Sequence, residues 1–216
     1  MKLRTSLFDR PSLYQHFHRF FSRRKFLYLQ RYLGDRTSAV PVKVLDLGCG
    51  PGTNSFLFSD RSKYDYLGLD FNEKYIRWAR QLYDLNFLCA DVTKLAKSGS
   101  AYDLILINSV MHHLSDAEAD HLLSAAQDLL GPGGECVVLD MIRPEARSTS
   151  NSVQRMLIRL DRGSFCRKLR DLQRLLTSYF ETDIAYSFDI SFVGVPLWDL
   201  KLFVCRKRLV TAIPGA

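Results

Sequence analysis

Short apolar runs, each closed by an acid or an amide, recur through the first two thirds of the chain. Val44-Leu45-Asp46-Leu47 breaks into Gly48-Cys49-Gly50-Pro51-Gly52-Thr53-Asn54, and Tyr66-Leu67-Gly68-Leu69 ends at Asp70. Asn86-Phe87-Leu88-Cys89-Ala90 ends at Asp91, and Tyr102-Asp103-Leu104-Ile105-Leu106-Ile107 ends at Asn108-Ser109. Near-continuous apolar runs of this kind suit parallel strands buried on both faces. Helical spacing fills the gaps between them. Asn72 is placed to cap a helix carrying Tyr75, Ile76, Ala79, Leu82 and Tyr83 on one face. Ser115-Asp116-Ala117-Glu118 reads as a capping box that opens a helix with Leu122, Ala126, Leu129 and Leu130 as its buried stripe. Gly131-Pro132-Gly133-Gly134 ends that helix and turns into a fifth strand, Glu135 to Met141.

Both flanks carry further elements. Leu13, Tyr14, Phe17, Phe20, Phe21, Leu27, Tyr28 and Leu33 recur at helical spacing, with Gly34 as a stop signal. Ser22-Arg23-Arg24-Lys25 interrupts the stripe and suggests two helices. After a polar loop, Ser152–Leu160 and Lys168–Tyr179 have helical patterns, followed by strands at Glu181–Phe188 and Leu200–Arg206. Strands alternating with helices imply an α/β sheet wound on both faces, with ligands bound at the carboxyl ends of its strands.

The glycine spacing narrows the ligand. Dinucleotide turns use G-x-G-x-x-G, with a pyrophosphate on a helix N-terminus. Here the third glycine comes one residue early, and Asp46 stands two residues before the first. A carboxylate at the mouth of the turn repels a pyrophosphate and attracts an ammonium group. Asp70, 24 residues further on, is placed to accept hydrogen bonds from ribose hydroxyls.

This ordered set resembles the motifs of the class I S-adenosylmethionine (SAM)-dependent methyltransferases, over roughly Val40 to Asp140. The overall look is nearest to the small-molecule group similar to the ubiquinone and menaquinone methylases. The resemblance implies a Rossmann-like, doubly wound seven-stranded sheet, mostly parallel with an antiparallel last strand and helices on both faces. It implies one domain over 1–216: an N-terminal helical lid at 1–36, the cofactor core at 40–141, a helical substrate-side insertion at 142–180 and closing strands at 181–208. It implies SAM as cofactor and S-adenosylhomocysteine (SAH) as product. By position, Asp46, Gly48, Cys49, Gly50, Gly52, Asn54, Asp70, Phe71, Asn72, Asp91, Val92, Asn108 and Ser109 would line the cofactor. Phe71 would lie against the adenine, and Asp91 and Val92 near its amino edge. Tyr14 and Phe17 are lid positions on the substrate side, and Arg143 and Arg162 could anchor a carboxylate or phosphate there.

Composition sets the remaining limits. A chain of 216 residues with 47% hydrophobic and 25% charged content suits one soluble domain. No apolar run reaches membrane-span length and Met1–Ser6 lacks a signal-peptide core, so cytoplasmic residence is expected. The five cysteines stand singly, which indicates neither a zinc knuckle nor an iron–sulfur site and no metal. Charge is uneven: residues 1–43 hold ten basic against two acidic side chains, 44–149 nine against fifteen, and 150–216 eleven against six. The basic flanks read as solvated helix faces; an anionic membrane surface or RNA is the alternative partner.

A SAM-dependent enzyme mostly aligns a nucleophile with the methyl–sulfur bond and keeps water out. A hydroxyl acceptor also benefits from a base. His113, and behind it His112, follow the fourth strand and offer an imidazole that titrates near neutrality. Asn108-Ser109-Val110-Met111 is not the Asn/Asp-Pro-Pro-aromatic pattern of amine and amide methylases, which favours a small-molecule or lipid-like acceptor, with oxygen slightly ahead. A SAM-binding protein without transferase activity and an RNA-directed enzyme remain the alternatives. The latter would show steeply salt-dependent binding.

Overall fold

Burial on both faces is what the unbroken apolar runs demand, and seven strands meet it in the order β3-β2-β1-β4-β5-β7-β6. The computed structural model describes residues 23–34, 40–95, 101–145, 152–160, 165–192 and 195–208. The expectations at Tyr14, Phe17 and Arg162 lie outside these residues. The elements are α1 (Arg23–Leu33), β1 (Val42–Leu47), β2 (Tyr64–Asp70), α2 (Glu73–Leu82), β3 (Asn86–Cys89), β4 (Tyr102–Asn108) and α3 (Asp116–Leu129). They continue as β5 (Leu130–Ile142), α4 (Ser152–Leu160), α5 (Leu169–Tyr179), β6 (Phe180–Phe192) and β7 (Val195–Lys207). Strands β1 to β5 pair in parallel, whereas β7 runs antiparallel to both β5 and β6. Strand order reverses between β1 and β4, the switch point where open α/β sheets leave a crevice.

Side-chain alternation splits the interior into two layers. Leu45, Leu47, Ile105, Ile107 and Val138 face α3 and α5, packing on Leu122, Ala126, Leu172 and Leu176. Val44, Tyr66, Leu104, Leu106 and Leu139 face the opposite side with α1 and α2, against Leu29, Leu33, Ile76 and Ala79. Helix α5, expected in a substrate-side insertion, is therefore part of the sheet's cover.

Several boundaries differ from the sequence expectation. In α1 the buried positions are Lys25, Leu29 and Leu33, one residue per turn, while Leu27 is 58% exposed. Two residues turn a helix by about 200°, so Leu27 and Leu29 cannot share a face. Leu82 closes α2 and is 49% exposed, whereas Tyr83, already extended, lies under the glycine turn. Chain pairing resumes at Leu130, immediately after α3, with an irregular register between Tyr102 and Leu104 that accommodates the glycines. β6 and β7 each run 13 residues and extend beyond the sheet's parallel part.

The capping box is present in full: Ser115 Oγ accepts from Glu118 N–H, and Glu118 accepts from Ser115 N–H at 2.8 Å. Ser115→Ala should cost about 1 kcal/mol. For a domain of this size that lowers the melting temperature by about 2–4 °C. An unchanged melting curve would show that packing of α3 holds the helix start without the cap.

Candidate active site

Asp46, the second-last residue of β1 and two before Gly48, turns its side chain toward the α1–α2 face, and its carboxylate is wholly buried. It therefore lies beneath the turn rather than at its mouth as expected. Its Oδ2 accepts from Tyr66 Oη at 2.8 Å and from Asn54 Nδ2 at 3.3 Å. Among the described residues its Oδ1 finds no hydrogen-bond partner. Burial pushes the Asp46 carboxyl up to about 7, against the lowering effect of Tyr66 and Asn54. Above it, the turn takes left-handed φ values of +77° at Gly48 and +81° at Gly52. A Cβ on Gly48 would come within 2.4 Å of a Val110 methyl, and one on Gly52 within 2.8 Å of the Tyr83 ring. Glycine is required at both places by conformation and by space. Cys49 is buried in the turn, and burial raises its thiol well above the usual range, which suits an inert side chain.

Asp70 ties this turn to the next. Its Oδ2 accepts from Gly50 N–H at 2.9 Å and its Oδ1 from Asn72 N–H at 2.8 Å. Burial raises its carboxyl, opposed by those two amides. Phe71 beside it is 75% exposed, an apolar ring left at the surface of the crevice. Asn72 is occupied as the cap of α2, accepting from Lys74 and Tyr75 N–H. Asp91 caps a short turn through Thr93, at 2.7 Å from its hydroxyl, and pairs with Lys94 at 3.0 Å. Val92 points into the interior.

At the end of β4 a directed chain of hydrogen bonds reaches back to Asp46. Lys25 Nζ donates to Ser109 Oγ at 2.5 Å, and Ser109 Oγ to Asn108 Oδ1 at 3.2 Å. Asn108 Nδ2 then donates to Asn54 Oδ1 at 2.8 Å, and Asn54 to Asp46. Ser109 holds φ +60°, and its N–H bonds Leu139 C=O at 2.8 Å. A left-handed serine costs energy and is concentrated at functional sites.

Next along, His112 Nδ1 lies 2.6 Å from Asp140 Oδ1, with the pair 4% and 1% exposed. His113 is exposed, its ring centroid 4.0 Å from that of His112. Arg167 braces the loop that carries both: its guanidinium donates to Met111 C=O, Leu114 C=O and Asp116. Phe165 N–H also donates to His112 C=O. Arg143 is exposed, and its backbone N–H joins this brace on Arg167 C=O.

Sequence reasoning missed Lys25, Tyr66, Asp140 and Arg167. Asp140 carried a usable signal, since it closes the apolar run Val137-Val138-Leu139 just as Asp46 and Asp70 close theirs. Tyr66 shares a face with Asp46 by strand alternation. Nothing in the local pattern marked Lys25 or Arg167.

With this geometry in place, comparison with known proteins is specific. Residues 44–134 match the family model described as a methyltransferase domain. A stretch of 108 residues is 31% identical to the ubiquinone biosynthesis O-methyltransferase of Sinorhizobium fredii, covering 46% of this chain and 42% of that protein. Another, of 131 residues, is 33% identical to trans-aconitate 2-methyltransferase of Variovorax paradoxus, covering 55% and 49%. The chain thus spans about half the length of these curated relatives. Among solved structures, the plantazolicin methyltransferase BpumL, in complex with SAH, superposes with a TM-score of 0.66 at 20% identity over 95% of this chain and 94% of that one. Over residues 44–134 the chain is thus similar to methyltransferase domains, and its sheet shares the fold of a methyltransferase solved with SAH. Among the described residues no helix is long and apolar enough to cross a membrane.

The residues fit SAM, the cofactor that the motif resemblance implies. The unpartnered Asp46 Oδ1 suits the field of a cationic amino-acid end, and the glycine cradle would be filled by any Cβ. Asp70 retains lone pairs for a ribose diol, since each oxygen accepts one amide. The raised carboxyl of Asp46 has a signed consequence. The native protein binds that proton more tightly than the unfolded chain, so ligand-free stability falls as pH rises from the usual carboxylate range through about 7. Asp70 contributes with the same sign. Cofactor affinity should rise through the same window, because a bound ammonium favours ionised Asp46. Asp46→Asn should flatten both trends, measured by urea unfolding and SAH titration. An unaltered pH slope in the variant would remove Asp46 as their source.

Proposed function

We propose that this chain transfers a methyl group from SAM to a small-molecule acceptor, with oxygen the favoured acceptor atom. The observation that carries the cofactor half is the buried, half-satisfied Asp46 beneath a glycine turn whose Gly50 amide is tied to Asp70. The oxygen preference is supported by an exposed His113 beside the buried His112–Asp140 pair. The matched stretch of an O-methyltransferase points the same way.

Bound over the turn, SAM would supply an electrophilic methyl on a sulfonium sulfur. The chain's own work is to hold and orient. Asp46 and Asn54 set the field at the amino-acid end, Asp70 grips the ribose, and Phe71 offers a ring to the adenine. Asn108 and Ser109 line the mouth between cofactor and acceptor. His113 takes the proton from an acceptor hydroxyl at a ring nitrogen. His112 is the strut: Asp140 holds its ring, the Phe165 N–H holds its carbonyl, and the His113 ring lies against it. A positioned base of this kind contributes ~10²–10⁴ in rate. Tyr14, Phe17, Arg143 and Arg162 remain proposed acceptor contacts.

Two experiments test the reading. A ligand at ~100 times its Kd adds ~2.7 kcal/mol of stability, which for this size reads as a shift of several degrees. SAM and SAH should produce it and NAD should not, and Asp70→Ala should abolish it while leaving a folded protein. Failure of both adenosyl compounds would overturn the cofactor assignment. His113→Gln should lower turnover by ~10²-fold or more while SAH affinity stays unchanged. Turnover equal to the native enzyme would return His113 to a structural role.

A further inference from the structure

Just ahead of α5, residues 165–167 run between the loop after β4 and the end of β5. Phe165 N–H donates to His112 C=O at 3.0 Å, and Arg167 C=O accepts from Arg143 N–H at 2.8 Å. The Arg167 side chain, only 9% exposed, lies against the one-turn helix Met111–His113. Its Nη1 donates to Met111 C=O at 2.7 Å and its Nη2 to Leu114 C=O at 2.8 Å. Nε and Nη2 also donate to Asp116 Oδ1, at 2.9 and 2.7 Å. The carbonyls of Met111, His112 and Leu114 are thus all taken by one short segment.

The ion pair does not account for the buried guanidinium. Asp116 is 89% exposed, so water already answers its charge and the pair adds little. Nor does the turn need Arg167 in order to close. His113 N–H bonds Val110 C=O at 2.9 Å, and Leu114 N–H bonds Met111 C=O at 3.3 Å. Burying a cation costs rotamer freedom and hydration, so it calls for a further reason. What the side chain adds is position. Its planar fork bonds one carbonyl at each end of the turn at a fixed spacing, which a point charge cannot do. Met111 and Leu114 bury their side chains beneath the turn, and the His112 ring is tied to Asp140. His113 is the residue of the turn whose side chain reaches the surface, so the place of its ring follows from that of the turn.

We propose that Arg167 is a positioning residue. By holding both ends of the turn it fixes the His113 imidazole at the crevice, so the segment ahead of α5 sets where the base stands. This rests on the methyl-transfer reading above, in which His113 takes the acceptor's proton. A base acts only within hydrogen-bond reach of the proton it removes, and a misplacement of about 1 Å costs on the order of 10²-fold in rate.

The test uses the full chain, isotope-labelled for NMR and saturated with SAH, well below its melting temperature. The native His113 ring should give one set of signals distinct from those of free histidine. Arg167→Met should move them toward the free values or split them into several sets. Amide exchange at His113 and Leu114 should rise roughly 10- to 100-fold, the loss expected for one charge-assisted hydrogen bond. Exchange at Ile105 and Val138 and the affinity for SAH should stay within a few-fold. Arg167→Lys should behave as Arg167→Met does, because one ammonium cannot bond both carbonyls. Asp116→Asn should leave the His113 signals in place. Unmoved signals in Arg167→Met, exchange rising equally across the core, native behaviour of Arg167→Lys, or displaced signals in Asp116→Asn would each overturn the positioning role alone. If Arg167→Met does not fold, Arg167→Lys and Asp116→Asn decide. Failure of SAH to bind the native chain would instead take down the methyl-transfer reading, and the positioning of a base with it.

Discussion

A carboxylate with no solvent exposure at the end of a central strand is tolerated only if its surroundings answer it. Around Asp46 that answer extends across the whole carboxyl edge. One branch runs from Ser55 through Tyr66, and the other from Lys25 through Ser109, Asn108 and Asn54, each donor pointing toward the acid. Hydrogen bonds aligned head to tail polarise one another, so the two branches converge on Asp46 through Tyr66 and Asn54. Four elements are held in register by this chain: α1, the glycine turn, β2 and the end of β4. The unpartnered Oδ1 marks where the surroundings are left incomplete, and incompleteness at that point is what a cationic ligand can use.

Two local strains frame the same spot. Gly48 and Gly52 take left-handed backbone on the β1 side, and Ser109 does so on the β4 side. Glycine adopts that conformation without steric cost, whereas serine holds it only because Lys25, Asn108 and Leu139 determine its position. Val110 then packs its methyls into the space a Gly48 side chain would need. The crevice at the switch point is therefore shaped from both sides by backbone that ordinary residues avoid, and the network around Asp46 supplies the constraint that keeps it so.

The cofactor side of this arrangement was readable from local pattern because each of its parts repeats one rule. An apolar run that ends in an acid is a parallel strand delivering a polar group to one edge, and Asp46, Asp70 and Asp91 all follow it. The rule also covers Asp140, which was passed over because the fifth strand lacks a glycine turn to draw attention to it. Depth was not readable. Asp46 was expected at the mouth of the turn and lies beneath it, because strand alternation aims it at Tyr66, a partner 20 residues away. The phase of α1 was also misjudged. An apolar stripe was assigned through Leu27, whereas the helix buries Lys25 instead, a choice decided by Ser109 at a separation of 84 residues.

The acceptor side departs from local pattern for a related reason. Its residues come from segments that do not take part in the strand–helix repeat. Lys25 arrives from the N-terminal helix, and Arg167 from the link between α4 and α5. Both act over long sequence separations on the loop after β4, Arg167 by clamping its carbonyls and Lys25 by fixing Ser109. The strand–helix repeat thus builds one edge of the sheet, while flanking segments bring groups of their own to it. In this chain those segments bring cations, one buried behind a serine and one spread across three acceptors, to an edge otherwise lined with acids. The charge at the end of β4 is then set by segments outside the strand–helix repeat, which is why the local pattern of the strands does not reveal it.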